Sequence, residues 1–64
     1  MELNKISERE WYVVLRKRKG ITIKELSSRL GISASLLSRY ENGLRSLDGR
    51  KLQAYRTIIK TYNK

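Results

Sequence analysis

The chain has 64 residues, with fifteen Lys and Arg against six Asp and Glu, and neither histidine nor cysteine. That length admits one domain burying roughly 60% of the surface its unfolded form exposes, so a handful of aliphatic and aromatic side chains must make the core. The missing cysteines exclude a disulfide staple and a thiol nucleophile, the missing histidines remove the commonest general base and metal ligand, and a net charge of +9 draws polyanions, nucleic acid first and an anionic membrane surface second.

The first residues, Met1-Glu2-Leu3-Asn4-Lys5, lack the apolar stretch of a secretory signal. A first helix is expected to start at Ser7. Ser7-x-x-Glu10 reads as a capping box, in which each side chain satisfies the other residue's free backbone N–H, and Ile6 and Trp11 stand where a hydrophobic staple would cross that cap. The longest apolar run, Trp11-Tyr12-Val13-Val14-Leu15, is far too short to span a bilayer, which leaves the membrane reading weak. The helix ends in Arg16-Lys17-Arg18-Lys19 before Gly20, and cations there suit the negative end of the helix dipole.

A second helix repeats this grammar. Thr22-x-x-Glu25 reads as another capping box, Ile23, Leu26 and Leu30 share a face, and Gly31 closes the helix. Ser33 is a good N-cap for a third helix running to about Asn42, with Leu37 and Tyr40 on its inner face and Gly43 as terminator. A looser stretch from Leu44 to Leu47 follows. Asp48 then caps a fourth helix, about residues 48–62, in which Leu52, Tyr55, Ile59 and Tyr62 recur at three- and four-residue spacings. No segment reads as a strand, and no proline, repeat or linker divides the chain, so an all-α single domain over residues 1–64 is expected.

Two short helices joined by a tight glycine turn, the second polar on its outer face, describe a helix-turn-helix over residues 22–42. Leu26 and Leu30 must pack on Ile32, Leu37 and Tyr40 to set the crossing angle, while the small Ser27 lets the two helices approach closely. The outer face of the third helix is then free to enter a DNA major groove.

The run Gly20-Ile21-Thr22-Ile23-Lys24-Glu25-Leu26-Ser27-Ser28-Arg29-Leu30-Gly31-Ile32-Ser33 resembles the helix-turn-helix of the lambda repressor/Cro (XRE) family. So does Leu37-Ser38-Arg39-Tyr40-Glu41-Asn42-Gly43, whose Glu-Asn-Gly ending is the most telling part; together the motifs cover about residues 15–45. The resemblance implies a compact lambda-repressor-like domain of four to five helices and an ion pair between Arg16 and Glu41, two residues otherwise readable as separate surface charges. It also implies sequence-specific binding of double-stranded DNA as a transcriptional regulator, most simply a repressor in the cytoplasm of a bacterium or phage-infected cell.

Base contacts are expected from Ser33, Ala34, Ser35, Ser38 and Arg39, with Arg39 reading guanine or else clamping a phosphate. Ala34 and Leu36 suit thymine methyls, although Leu36 can equally be a core or rim residue. Phosphate contacts are expected from Thr22 and Lys24 at the positive end of helix two, and from Asn42 and Arg45 beyond the recognition helix. Where the family commonly has a phosphate-gripping glutamine after the helix-two cap, this chain has Ile23. Apart from Arg16, the cluster running to Lys19 reads as a solvated helix end or as a DNA contact.

The family usually carries two short helices after the loop, whereas here one longer helix is expected. Tyr55, Ile58, Ile59 and Tyr62 either form a homodimer contact, implying an inverted-repeat operator, or simply cover helix one, including Trp11 and Val14. An enzyme is not expected: the six carboxylates, Glu2, Glu8, Glu10, Glu25, Glu41 and Asp48, are scattered singly, and Glu10 and Glu25 already have capping roles. No metal, cofactor or small-molecule ligand is implied. A protein-binding module on the same scaffold, or a non-specific basic DNA binder, is the alternative.

Overall fold

A computed structural model describes residues 7–62, and among them the chain forms four helices and no strand. Helix α1 (Glu8–Arg18) carries the expected reciprocal cap: the Glu10 N–H donates to Ser7 Oγ at 3.1 Å and the Ser7 N–H to Glu10 Oε1 at 2.8 Å. The bond from the Ser7 backbone, then that with its side chain, holds the Glu10 carboxyl below its usual pKa. Ile6, the other half of the staple, lies outside the described residues.

Helix α2 (Ile23–Leu30) is capped from one side only. The Glu25 N–H donates to Thr22 Oγ1 at 3.0 Å, but the Glu25 carboxylate accepts instead from the Tyr62 hydroxyl at 2.7 Å and from Arg29 at 3.4 Å. The second capping box is therefore half formed, because a tyrosine from the far end of the chain takes the carboxylate. Helices α3 (Ala34–Glu41) and α4 (Gly49–Thr61) start at Ser33 and Asp48, whose side chains accept from the N–H groups of Leu36 and Lys51.

The turn between α2 and α3 needs glycine for a stated reason. Gly31 has φ 72°, a left-handed conformation that costs any residue with a Cβ. Two bonds then close the helix end, from the Gly31 N–H to the Ser28 carbonyl at 3.2 Å and from the Ile32 N–H to the Ser27 carbonyl at 3.0 Å. The same pair of bonds recurs at the ends of α1 and α3.

Helices α3 and α4 each pack on both α1 and α2. Tyr12, Ile21, Leu26, Leu30, Leu37, Tyr55 and Ile59 form the buried core, with Ile32 and Tyr40 half-buried against it. Ser27 is buried as the close helix packing requires, and its hydroxyl donates to the Lys24 carbonyl at 3.1 Å, so no polar atom there is stranded.

Two expectations for α4 are corrected. Tyr55 and Ile59 are 0% exposed within a single copy, so they face the protein's own core and offer nothing to a second copy; only Ile58 and Tyr62 of that set retain exposure. Helix α4 does close the core, yet it leaves Trp11 and Val14 47% and 51% exposed rather than covered. Long polar side chains complete the closure. Lys51 Nζ donates to the Leu30 carbonyl at 2.7 Å, and Lys19 Nζ to the carbonyls of Ile59, Lys60 and Tyr62 at 2.7, 2.9 and 3.3 Å. Each lysine satisfies carbonyls that a helix end leaves without partners.

Candidate nucleic-acid interface

The third helix is held from its inner side by a buried network. Arg16 Nε and Nη2 each donate to the Glu41 carboxylate at 2.8 Å, and Arg16 Nη1 donates to the Ile21 carbonyl at 2.7 Å. The Tyr55 hydroxyl donates to the same carboxylate at 2.8 Å. Both charged side chains are under a tenth exposed. Burial, and after it the bond to Glu41, pushes the Tyr55 hydroxyl far above its ordinary pKa, so it remains a donor. One carboxylate at the end of α3 thus ties that helix to α1 and α4 at once, which limits its rotation about its own axis.

That constraint decides which residues face outward. Ser35, Ser38, Arg39 and Asn42 recur at helical spacing and all are exposed, as is Ala34. Leu37 is fully buried and Leu36 half-buried off the core, so the ambiguity between these neighbours resolves with Leu37 inside and Leu36 at the rim. The Ser33 oxygen is engaged by the cap, which leaves its hydroxyl proton available to a ligand. Chemically the face offers short hydroxyls and one guanidinium, the group suited to a bidentate bond with guanine.

At the N-terminus of α2 the Thr22 hydroxyl proton is likewise free to donate, and Lys24 is exposed beside it. Ile23 is half-buried and packs against the core, which explains why no polar grip stands at that position: the residue belongs to the hydrophobic layer. Beyond α3, Asn42 Nδ2 donates to the Ser38 carbonyl at 2.8 Å and keeps its second amide proton, while Arg45 is exposed.

The cluster ending α1 is not uniformly a solvated helix end. Arg16 is buried and Lys19 caps α4, leaving Lys17 and Arg18 as its exposed members. Lys19, Lys51 and Arg9 all take positions that no local pattern announces. Their neighbours come from distant sequence, and the two lysines bond backbone carbonyls, which every residue has.

A family model described as helix-turn-helix matches residues 15–60, reaching from α1 through most of α4. No curated protein and no solved structure matches the chain. Among the described residues no helix is long and apolar enough to cross a membrane. With α2, its glycine turn and an α3 locked on one side and exposed on the other, the chain belongs to the lambda repressor-like (XRE) helix-turn-helix family of DNA-binding regulatory domains.

Proposed function

We propose that the protein is a transcriptional repressor that reads an operator through the major groove with α3, acting as one domain in the cytoplasm of a bacterium or phage-infected cell. The observation that carries this reading is the two-sidedness of α3. Its inner side is committed to Leu37 and the Glu41 network, while its outer side presents exposed residues that engage no other helix. Ser33, Ala34, Ser35, Ser38 and Arg39 contact bases, and Thr22, Lys24, Asn42 and Arg45 hold phosphates on either side. Occupying the operator with so small a domain represses by occlusion.

The bound form in this reading is a homodimer on an inverted repeat, with recognition helices about 34–36 Å apart. Because Tyr55 and Ile59 are spent on the core, only half-buried apolar residues such as Ile58 and Tyr62 remain for a partner on that side, so pairing is weak in free solution and completed on DNA. The test is selection of bound duplexes from a randomised pool. Enrichment of an inverted repeat with half-sites one turn apart supports the whole reading, and a lone half-site removes the dimer. No enrichment from a folded protein turns the assignment to a protein partner or to charge-driven binding.

A further inference from the structure

Arg9, on the first turn of α1, is the basic residue whose setting the fold does not account for. Its Nε is sealed from solvent with no hydrogen-bond partner, and its guanidinium lies against the turn that ends α3. A Cβ on Gly43 would stand 3.1 Å from Arg9 Nη2, tighter than side chains ordinarily pack, and in ordinary contact with its Cζ at 3.6 Å. Nearby carboxylates are engaged elsewhere: Glu8 with Arg56, Glu10 with the Ser7 cap, Glu41 with Arg16 and Tyr55. Among the described residues Arg9 therefore has no ion-pair partner, whereas Arg16, Arg29 and Arg56 each have one. Its charge helps hold the Glu10 carboxyl low, after the Ser7 bonds, but no carboxylate among the described residues bonds the half-buried guanidinium, whose outer N–H groups remain able to take an added anion.

Its position indicates which anion. The exposed stripe of α3 runs from Ser35 through Ser38 and Arg39 to Asn42, and Gly43 is the next residue along the chain. Arg9 thus lies against the residue that follows Asn42, the last member of the stripe read above as facing DNA. Its charge and that of Arg56 also bear on the half-buried Tyr40 hydroxyl, a further hydrogen-bond donor at the same corner.

We propose that Arg9 is a DNA-phosphate contact, clamping the backbone with Asn42 and Arg45 where the recognition helix leaves the groove, and that Gly43 keeps the space its guanidinium needs. The proposal rests on α3 being the DNA-facing helix; it does not require that α3 prefer any sequence. The competing role is packing alone, with Arg9 covering Tyr40 and the last turn of α3.

Binding to a mixed-sequence duplex, followed by fluorescence anisotropy across a salt series, separates the two. Arg9→Gln should lower the slope of log K against log salt by about one. Its affinity deficit should therefore be about three- to fourfold larger at about 50 mM salt than at about 200 mM. Arg9→Lys should restore the slope, and Lys60→Gln, on the exposed side of α4, should leave it unchanged. Thermal melts of each variant run alongside. A lowered melting temperature with an unchanged slope for Arg9→Gln, or no recovery of slope in Arg9→Lys, overturns the phosphate contact in favour of packing. A wild-type protein with no salt-dependent binding overturns the DNA-facing assignment of α3 beneath it. Loss of slope without sequence preference in the selection sustains Arg9 while removing the operator.

Discussion

The two sides of α3 differ in how strongly physical chemistry constrains them. On the inner side, Leu37 is fully buried and Glu41 is gripped by Arg16 and Tyr55, so a change of residue there leaves a cavity or an uncompensated charge. On the outer side, Ser35, Ser38 and Arg39 are exposed, and exposed positions tolerate substitution within about half a kcal/mol. Stability is therefore written on one face of eight residues, and the proposed function puts recognition on the other. Mutations on the two faces should separate cleanly, one set moving the melt and the other the choice of DNA sequence.

The largest effect is expected from Glu41→Ala. It strands Arg16 and removes the acceptor for Tyr55, and breaking such a buried pair costs about 3–5 kcal/mol. In a domain this small that lowers the melting temperature by more than about 10 °C. A circular-dichroism melt close to wild type would remove the network from the account.

Arg39→Ala tests the opposite face. Discrimination at one base position of the selected site should relax by about 1–3 kcal/mol, with the melt unchanged. Uniform weakening on every duplex would make Arg39 a phosphate clamp.

Alkaline pH sharpens the inner side again. Folding raises the pKa of Tyr55, so the folded state keeps a proton that the unfolded chain releases near pH 10. The contribution of Tyr55 is fully present below about pH 10 and declines above it by about 1.4 kcal/mol per pH unit while the folded tyrosine stays protonated. Denaturant titrations of wild type and Tyr55→Phe should show a steeper alkaline loss in the wild type; parallel losses would contradict the assignment. The smallest effect is expected from Lys51→Met, which keeps most of the packing but releases the Leu30 carbonyl, at about 1 kcal/mol of stability and no change in sequence preference. Urea midpoints and the enriched site together check both halves of that statement.

Much of the inner architecture was legible in the sequence because its signals are local. Ser7, Thr22, Ser33 and Asp48 mark helix starts by a side-chain oxygen three residues before a waiting N–H, and Gly20, Gly31 and Gly43 mark the ends. Helical spacing put Tyr55 and Ile59 on one face, but spacing does not say whether a face meets the protein's own core or a second copy. The core of so small a domain draws in scattered residues such as Tyr12 and Ile21, and these took up the surface that a homodimer contact through Tyr55 and Ile59 would have needed. The lysine caps of α4 and α2 were illegible for a different reason: a backbone carbonyl acceptor leaves no trace in residue identity. Glu25 fits a capping box by spacing and was diverted by Tyr62, a competitor visible only once the chain is folded. The residues proposed to face DNA could be found in the sequence only as the side of α3 left over after packing, and serines, which bond many base edges, narrow the reading no further.

The most direct test of the central claim, that the exposed face of α3 meets DNA while its inner face stays locked, is amide chemical-shift mapping during titration with the selected duplex. The account predicts shifts concentrated at residues 22–24 and 33–45, with the amides of Leu26, Tyr55 and Ile59 little changed. Shifts centred on Trp11 and Val14, with α3 silent, would contradict it.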